Sequence, residues 1–181
     1  PNVVKFPDGR FRMYYTGAGP ARPVKESQGY IVSAVSEDGI NWRKEPGVRL
    51  DVHEPDAGLR VLCPDVIPLA DGRWRMYFQA AAPDRPDVGL SALSDDGLQW
   101  RREPGVRLQG SDCSLGSPRC LYMPSPADEN RLCYRLYFHR YSYPFRSGLD
   151  GGNHIISATS EDGLKFAIEP GVRFGQKDPQ R

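Results

Sequence analysis

The sequence predicts an all-β fold, a β-propeller of four-stranded antiparallel blades. Three observations carry this: a tripled motif, a second motif that moves in step with it, and strand-period alternation between them. Ser36-Glu37-Asp38-Gly39-Ile40-Asn41-Trp42 returns as Ser94-Asp95-Asp96-Gly97-Leu98-Gln99-Trp100 and as Ser160-Glu161-Asp162-Gly163-Leu164-Lys165-Phe166. Glu-Pro-Gly-Val-Arg follows each copy, at 45–49, 103–107 and 169–173. Both motifs shift by 58 residues and then by 66 (36 to 94 to 160; 45 to 103 to 169). A period of this length, rich in aromatic and β-branched residues, marks a repeated β unit.

Each repeat divides into four extended pieces. Piece A opens on a proline, at Pro1 to Phe6, Pro64 to Leu69 and Pro118 to Met123. Piece B is Arg10 to Tyr15, Arg73 to Phe78 and Cys133 to Phe138, where Phe11, Met13 and Tyr15 alternate with Arg10, Arg12 and Tyr14 at the period of a strand. Piece C is Tyr30 to Val35, Val88 to Leu93 and His154 to Thr159, and piece D starts at Trp42, Trp100 or Phe166. Asp-Gly pairs separate A from B in the first two repeats and C from D in all three. They predict tight turns in which Gly takes positive φ and Asp accepts from nearby amides. No stretch shows capped helical periodicity.

Four antiparallel strands per repeat fit a propeller blade, which buries both faces against its neighbours. The expectation is a single partial propeller domain over 1–181, with blades at about 1–50, 61–108 and 117–174. Three blades do not close a ring, and Lys177-Asp178-Pro179-Gln180-Arg181 reads as the opening of another strand A. Either the three blades belong to a larger propeller or a homo-oligomer closes it, because open blade faces and edges favour association.

Composition narrows the classes. With 39% hydrophobic and 26% charged residues the chain reads as globular rather than disordered. Its 24 Lys and Arg against 23 Asp and Glu leave a net charge of +1, scattered rather than clustered, which argues against a nucleic-acid partner. No apolar run approaches membrane-spanning length, so no membrane association is expected, and no signal peptide is visible. The chain opens on Pro1, so this terminus does not report the compartment. Cys63, Cys113, Cys120 and Cys133 form no C-x-x-C pair and read as free, mostly buried thiols, with a Cys113–Cys120 bridge as the alternative in an exported protein. His53 and His154 have no ligand spacing, so no metal or cofactor is expected.

Strand A opening on Pro, then Asp-Gly-Arg-x-Arg-Met-Tyr, then Ser-x-Asp-Gly-x-x-Trp, resembles the five-bladed β-propeller glycosidases, glycoside hydrolase families 43, 32, 62, 68 and 130. The resemblance covers nearly the whole chain as three successive blades. Leu62-Cys63-Pro64-Asp65-Val66 is similar to the E-C-P-D-L segment of family 32, and Pro1-Asn2 to the tail of its N-D-P-N segment. The resemblance implies a carbohydrate ligand at a central funnel and carboxylates just before the strand-A proline. One carboxyl protonates the leaving oxygen and one activates water or attacks. Here Leu62 and Cys63 precede Pro64, and Gly116 and Ser117 precede Pro118. Only Asp178-Pro179 keeps an acid in register.

Strand order sets the faces. With A starting at the top, the Asp-Gly turns lie at the bottom. The variable loops, 16–28, 51–63, 109–117 and 139–153, share the top, where function is expected. Asp65, Asp112 and Asp178 are the candidate catalytic acids, with Glu54 and Asp56 as further acids on that face. For Asp65 a structural hydrogen bond or ion pair is the competing role, and for Asp112 a solvated turn. Arg60, Arg119, His139, Arg140 and Tyr141 are candidate substrate-binding residues, able to grip hydroxyl or carboxylate groups. Features present in every blade read as scaffold. Arg12, Arg75 and Arg135 are expected in inter-blade ion pairs, Asp38, Asp96 and Asp162 in turns, and Trp42, Trp100 and Phe166 in blade packing.

The leading expectation is a glycoside hydrolase-like propeller that binds or cleaves a carbohydrate at its top face. The alternative is a non-catalytic binding or assembly module, motivated by Leu62 and Gly116-Ser117 standing where carboxylates belong.

Overall fold

In the computed structural model, three groups of antiparallel strands, termed blades below, follow one another along the chain, the first two bridged into one sheet. The described residues are 1–19, 28–53, 57–125, 127–144 and 153–175, and among them every regular element is a strand. The first blade holds β1 (Asn2–Lys5), β2 (Phe11–Ala18), β3 (Gly29–Ser36) and β4 (Arg43–Lys44). The second holds β5 (Arg60–Pro68), β6 (Trp74–Ala82), β7 (Arg85–Ser94) and β8 (Arg101–Arg102). The third holds β9 (Cys113–Pro124), β10 (Leu132–Ser142), β11 (His154–Ser160), β12 (Ala167–Ile168) and β13 (Phe174–Gly175). Neighbours within a blade pair antiparallel. A single parallel bridge, Gly29 to Arg60, joins the first blade to the second.

The Asp-Gly turns form as their chemistry predicts. Gly39, Gly97 and Gly163 have φ of 77°, 72° and 71°, which costs an L-residue about 1–2 kcal/mol. Asp38 accepts from the amides of Ile40 and Asn41, and Asp96 and Asp162 repeat that pattern. The fourth strand is shorter than the sequence pattern suggests. It runs for two residues, breaks at Glu-Pro-Gly, and touches strand C again near Leu50, Leu108 or Phe174.

That break gives the Glu-Pro-Gly-Val-Arg motif its function. Its Glu accepts from the strand-B Arg and the strand-C Ser of its own blade: Glu45 from Arg12 and Ser33, Glu103 from Arg75 and Ser91, Glu169 from Arg135 and Ser157. The strand-B arginines therefore form ion pairs inside one blade, not between blades as the sequence suggested. The pairing distances are 2.8, 3.0 and 2.8 Å. What these arginines reach across the gap is a carbonyl: Arg12 donates to Asp96 O and Arg75 to Asp162 O.

Tyrosine completes the junction. Tyr14 donates to Gly97 O, and Tyr77 to Gly163 O, at 2.8 Å in both cases. Each ring also meets the aromatic of the same turn edge-on, Tyr14 with Trp100 and Tyr77 with Phe166. The motif arginines add a third tie, Arg49 to Leu98 O and Arg107 to Leu164 O. Two apolar clusters fill the gaps between blades. One contains Tyr14, Leu50, Trp74, Met76 and Phe78, the other Tyr77, Leu108, Leu136, Phe138 and Ile156.

Position in the wedge decides burial. β6 lies between two blades and is buried at every position but its last. β2 buries Arg12 and Tyr14, the side toward the second blade, whereas β10 buries Leu136 and Phe138, the opposite side of the aligned strand. Identical alternation is thus read in opposite phase by the two outer blades.

Tyr77→Phe should cost about 1–3 kcal/mol, because it leaves the buried Gly163 carbonyl short of its donor. Tyr14→Phe should cost less, since Trp100 Nε1 also donates to Gly97 O. Urea denaturation of both variants checks the order. Backbone hydrogen bonds from Lys165 and Leu164 hold the Asp162 carboxyl down at about 2, and the Asn41 and Ile40 amides hold Asp38 well below the usual range. Their folded pKa values lie below the unfolded ones, so their stabilisation is complete above about pH 4 and falls away toward about pH 2. An Asp162→Ala variant should show a smaller loss of thermal stability than the parent over that window.

Candidate functional site

The starts of strand A carry an irregularity that recurs. In β5 the register slips between Leu62 and Asp65, and in β9 between Gly116 and Arg119, opposite Tyr137 and His139. Two residues, Cys63-Pro64 or Ser117-Pro118, bulge where one would pair. Cys63 and Ser117 take positive φ, 53° and 52°, without being glycine. Such backbone is costly and persists where the surroundings enforce it. The enforcement is visible. Cys63 N donates to Thr16 Oγ1 at 3.1 Å and Ser117 N to Gln79 Oε1 at 3.0 Å. Ser117 Oγ reaches Cys63 Sγ at 3.4 Å. These two positions directly precede the strand-A prolines, Pro64 and Pro118.

A polar cluster grows from Gln79. Its Nε2 donates to Asp87 Oδ2 at 2.6 Å and lies 3.0 Å from Tyr141 Oη. Tyr141 also donates to Asp87 Oδ2, and Asp87 N donates to Ser114 Oγ at 3.0 Å. Asp87 and Tyr141 are both half-buried. Burial, reinforced by the bond to Asp87, pushes the Tyr141 hydroxyl far above its ordinary value, so it remains a donor at neutral pH. Both side-chain bonds converge on Oδ2. Among the described residues none reaches Asp87 Oδ1, which leaves an anionic acceptor for an incoming hydroxyl. Alignment on Ser33, Ser91 and Ser157 puts Gly29 and Asn153 where Asp87 stands, and alignment on strand B puts Ala18 and Ala81 where Tyr141 stands. The Asp87–Tyr141 pair therefore stands outside the repeat.

Asp65 has a different job. It is 4% exposed, accepts from Cys120 N at 2.7 Å and from Asn2 Nδ2 at 3.0 Å, and so ties all three blades. Asn2 makes the equivalent tie in the preceding blade, accepting from Val66 N. Burial raises the Asp65 carboxyl against the lowering effect of the Cys120 amide, Arg119 and Asn2. Arg119 stands 3.9 Å from Asp65 and donates to Pro118 O at 2.7 Å. Arg60 flanks Gly29 at the first junction, with its Nε buried and without an acceptor.

Asp112 is exposed and accepts from Ser111 at 3.2 Å, apart from the cluster. His139 is exposed in β10, at the strand position held by Thr16 and Gln79 in the other blades, and Arg140 beside it is half-buried. Of the sequence candidates, Tyr141 alone joins the cluster. Asp178, Glu54 and Asp56 lie outside the described residues. Gln79 and Asp87 escaped the sequence reading, although their departure from the repeat was a signal that could have found them. The four cysteines are free thiols. Burial, then the Asp65 charge, pushes the Cys120 thiol up to about 12.

Asp65→Ala should lose stability by about 1–3 kcal/mol through the stranded Cys120 amide. Thermal melting of the variant beside the parent checks this.

No family model matches the chain. It is 28% identical over 175 residues to an uncharacterised protein of Mycobacterium tuberculosis (strain CDC 1551 / Oshkosh), covering 91% of this chain and 52% of that one. The chain thus spans about half the length of this curated relative. Among solved structures it superposes on the Bombyx mori family 32 β-fructofuranosidase with TM-score 0.71 at 15% identity, covering 97% of this chain and 36% of that one. A family 117 glycoside hydrolase from Zobellia galactanivorans gives 0.68 at 18% identity, covering 93% and 53%. A thermostable family 43 glycoside hydrolase gives 0.64 at 20%, covering 98% and 59%. Strands, turns and superpositions together show that the chain carries a β-propeller fold, the one also seen in these glycoside hydrolases of families 32, 117 and 43.

Proposed function

We propose that the chain binds a carbohydrate at the top face, with Asp87 as its polar anchor and Tyr141 and Gln79 holding that carboxylate in place. One observation carries this reading. The residues that break the repeat gather at the strand-A bulges, the end of the blade where the resembled glycosidases do their chemistry. A fixed carboxylate with one open oxygen suits a sugar hydroxyl, since charge-assisted hydrogen bonds are short and strong. The β-fructofuranosidase neighbour has itself been crystallised, as a mutant, with sucrose.

Hydrolysis asks for a second carboxyl group flanking the scissile bond. Among the described residues Asp65 is committed to the Cys120 amide and Asp112 points to its own turn. Leu62 and the Gly116-Ser117 pair, standing where the resembled enzymes keep carboxylates, favour binding without cleavage by these three blades. For a glycosidase reading, Asp178 is the acid in register before a strand-A proline.

The test is titration calorimetry against mono- and oligosaccharides, alongside an assay for reducing-sugar release. Asp87→Asn should weaken binding roughly ten- to a hundredfold, the loss of one charged hydrogen bond. Tyr141→Phe should weaken it less. Reducing-sugar release by this chain would overturn the binding-only reading. No sugar affinity, or affinity indifferent to Asp87, would overturn the site.

A further inference from the structure

The Asp87–Tyr141 cluster lies at the junction of the second and third blades, and its members come from β6, β7, β9 and β10. Its side-chain hydrogens are already placed. Gln79 Nε2 carries two, and they go to Asp87 Oδ2 at 2.6 Å and Tyr141 Oη at 3.0 Å. Gln79 Oε1 takes the Ser117 amide, and the residue is 6% exposed. Tyr141 has one hydroxyl hydrogen, which goes to Asp87 Oδ2. Ser114 accepts from Asp87 N and is 2% exposed, beyond the reach of a ligand. Arg119, the cation beside the Ser117 bulge, turns its Nη1 to the Cys63, Pro64 and Pro118 carbonyls.

What the cluster keeps for a ligand is Asp87 Oδ1, an acceptor. Its donors are turned inward, onto Oδ2 and onto one another. A ligand group must therefore bring the hydrogen itself. A hydroxyl or an ammonium does so. A carboxylate or phosphate brings no hydrogen and sets a second anion against the first, and an unpaired like charge is how a site rejects a competitor. The first junction has no counterpart, because Thr16 and Gly29 occupy the aligned positions and Thr16 Oγ1 takes the Cys63 amide.

Resting on carbohydrate binding at Asp87, we infer that the site selects its ligand by hydrogen-bond polarity: it takes a neutral or amino sugar through a hydroxyl or ammonium that donates to Asp87 Oδ1, and turns away uronates and sugar phosphates. The same neighbours fix what an amide would do there. In Asp87→Asn the side-chain oxygen has to face Gln79 Nε2 and the Tyr141 hydroxyl, since the opposite orientation would set its NH2 against two donors. The amide nitrogen then stands where Oδ1 stood. One substitution of nearly equal size thus exchanges an open acceptor for an open donor and reverses the polarity of the site.

Titration calorimetry of the parent and of Asp87→Asn tests this, with thermal melting to verify that the variant is folded. The probes are two matched series: glucose, glucosamine and glucuronate, and galactose, galactosamine and galacturonate. In at least one series the parent should bind the amino sugar and the hexose more tightly than the uronate. Asp87→Asn should weaken the amino sugar about a hundredfold and the hexose about tenfold, and leave the uronate no weaker. A uronate that binds the parent most tightly would overturn the inference while sparing the site, as would a substitution that weakens all three sugars of a series equally. If no probe binds in a way that depends on Asp87, the site itself falls, and this inference with it.

Discussion

Three successive peptide carbonyls at the crest of a glycine turn, the middle one met from the neighbouring blade by a tyrosine hydroxyl and the outer two by arginines, form the contact on which the wedge depends. Sheets offer no hydrogen bonds through their faces, so packing alone would let blades slide against one another. The Gly97 and Gly163 carbonyls set the register of the slide. A hydroxyl that reaches 2.8 Å to a fixed oxygen admits one rotation of one blade upon the next. Glycine is required there twice over, for positive φ and because the neighbouring tyrosine and arginine lie where a methyl would sit.

Around that contact the recurring charges find their purpose. Each motif glutamate gathers an arginine and a serine inside its blade, which neutralises a guanidinium that would otherwise be buried alone at the interface. Breaking such a pair strands a charge, whereas the intact pair contributes chiefly orientation. The arginine so held points its remaining donors at the next turn. Tyrosine, arginine, glutamate and serine thus act as one unit, repeated with little change from blade to blade.

The proposed binding site lies where that repetition fails. The bulges at Cys63 and Ser117 recur, but what surrounds the second differs. Gln79 replaces Thr16, Asp87 replaces Gly29, and Tyr141 reaches across from the third blade. Scaffold residues bind one another and leave no valence over. Asp87 keeps an oxygen to spare, at the end of the blade where strand A begins.

The fold was legible because it is periodic. Motifs at constant offset, Asp-Gly turns and two-residue alternation each report local backbone preference, and each appears in the strands and turns observed. Asp38, Asp96 and Asp162 were readable as turn residues for the same reason, and Trp100 and Phe166 as packing. The site was only partly legible, because a side chain's role depends on which blade it faces. Asp65 resembles a catalytic acid along the chain, yet it accepts the Cys120 amide 55 positions away. Arg12 and Arg75 read as bridges between blades and pair within them. Asp87 and Gln79 carry no motif, and a bond between Tyr141 and Asp87 spans 54 positions. Local sequence therefore determined strands, turns and repeat. Tertiary packing alone decided which carboxylate is consumed by the scaffold and which stays available, because that depends on amides brought close by the stacking of separate blades.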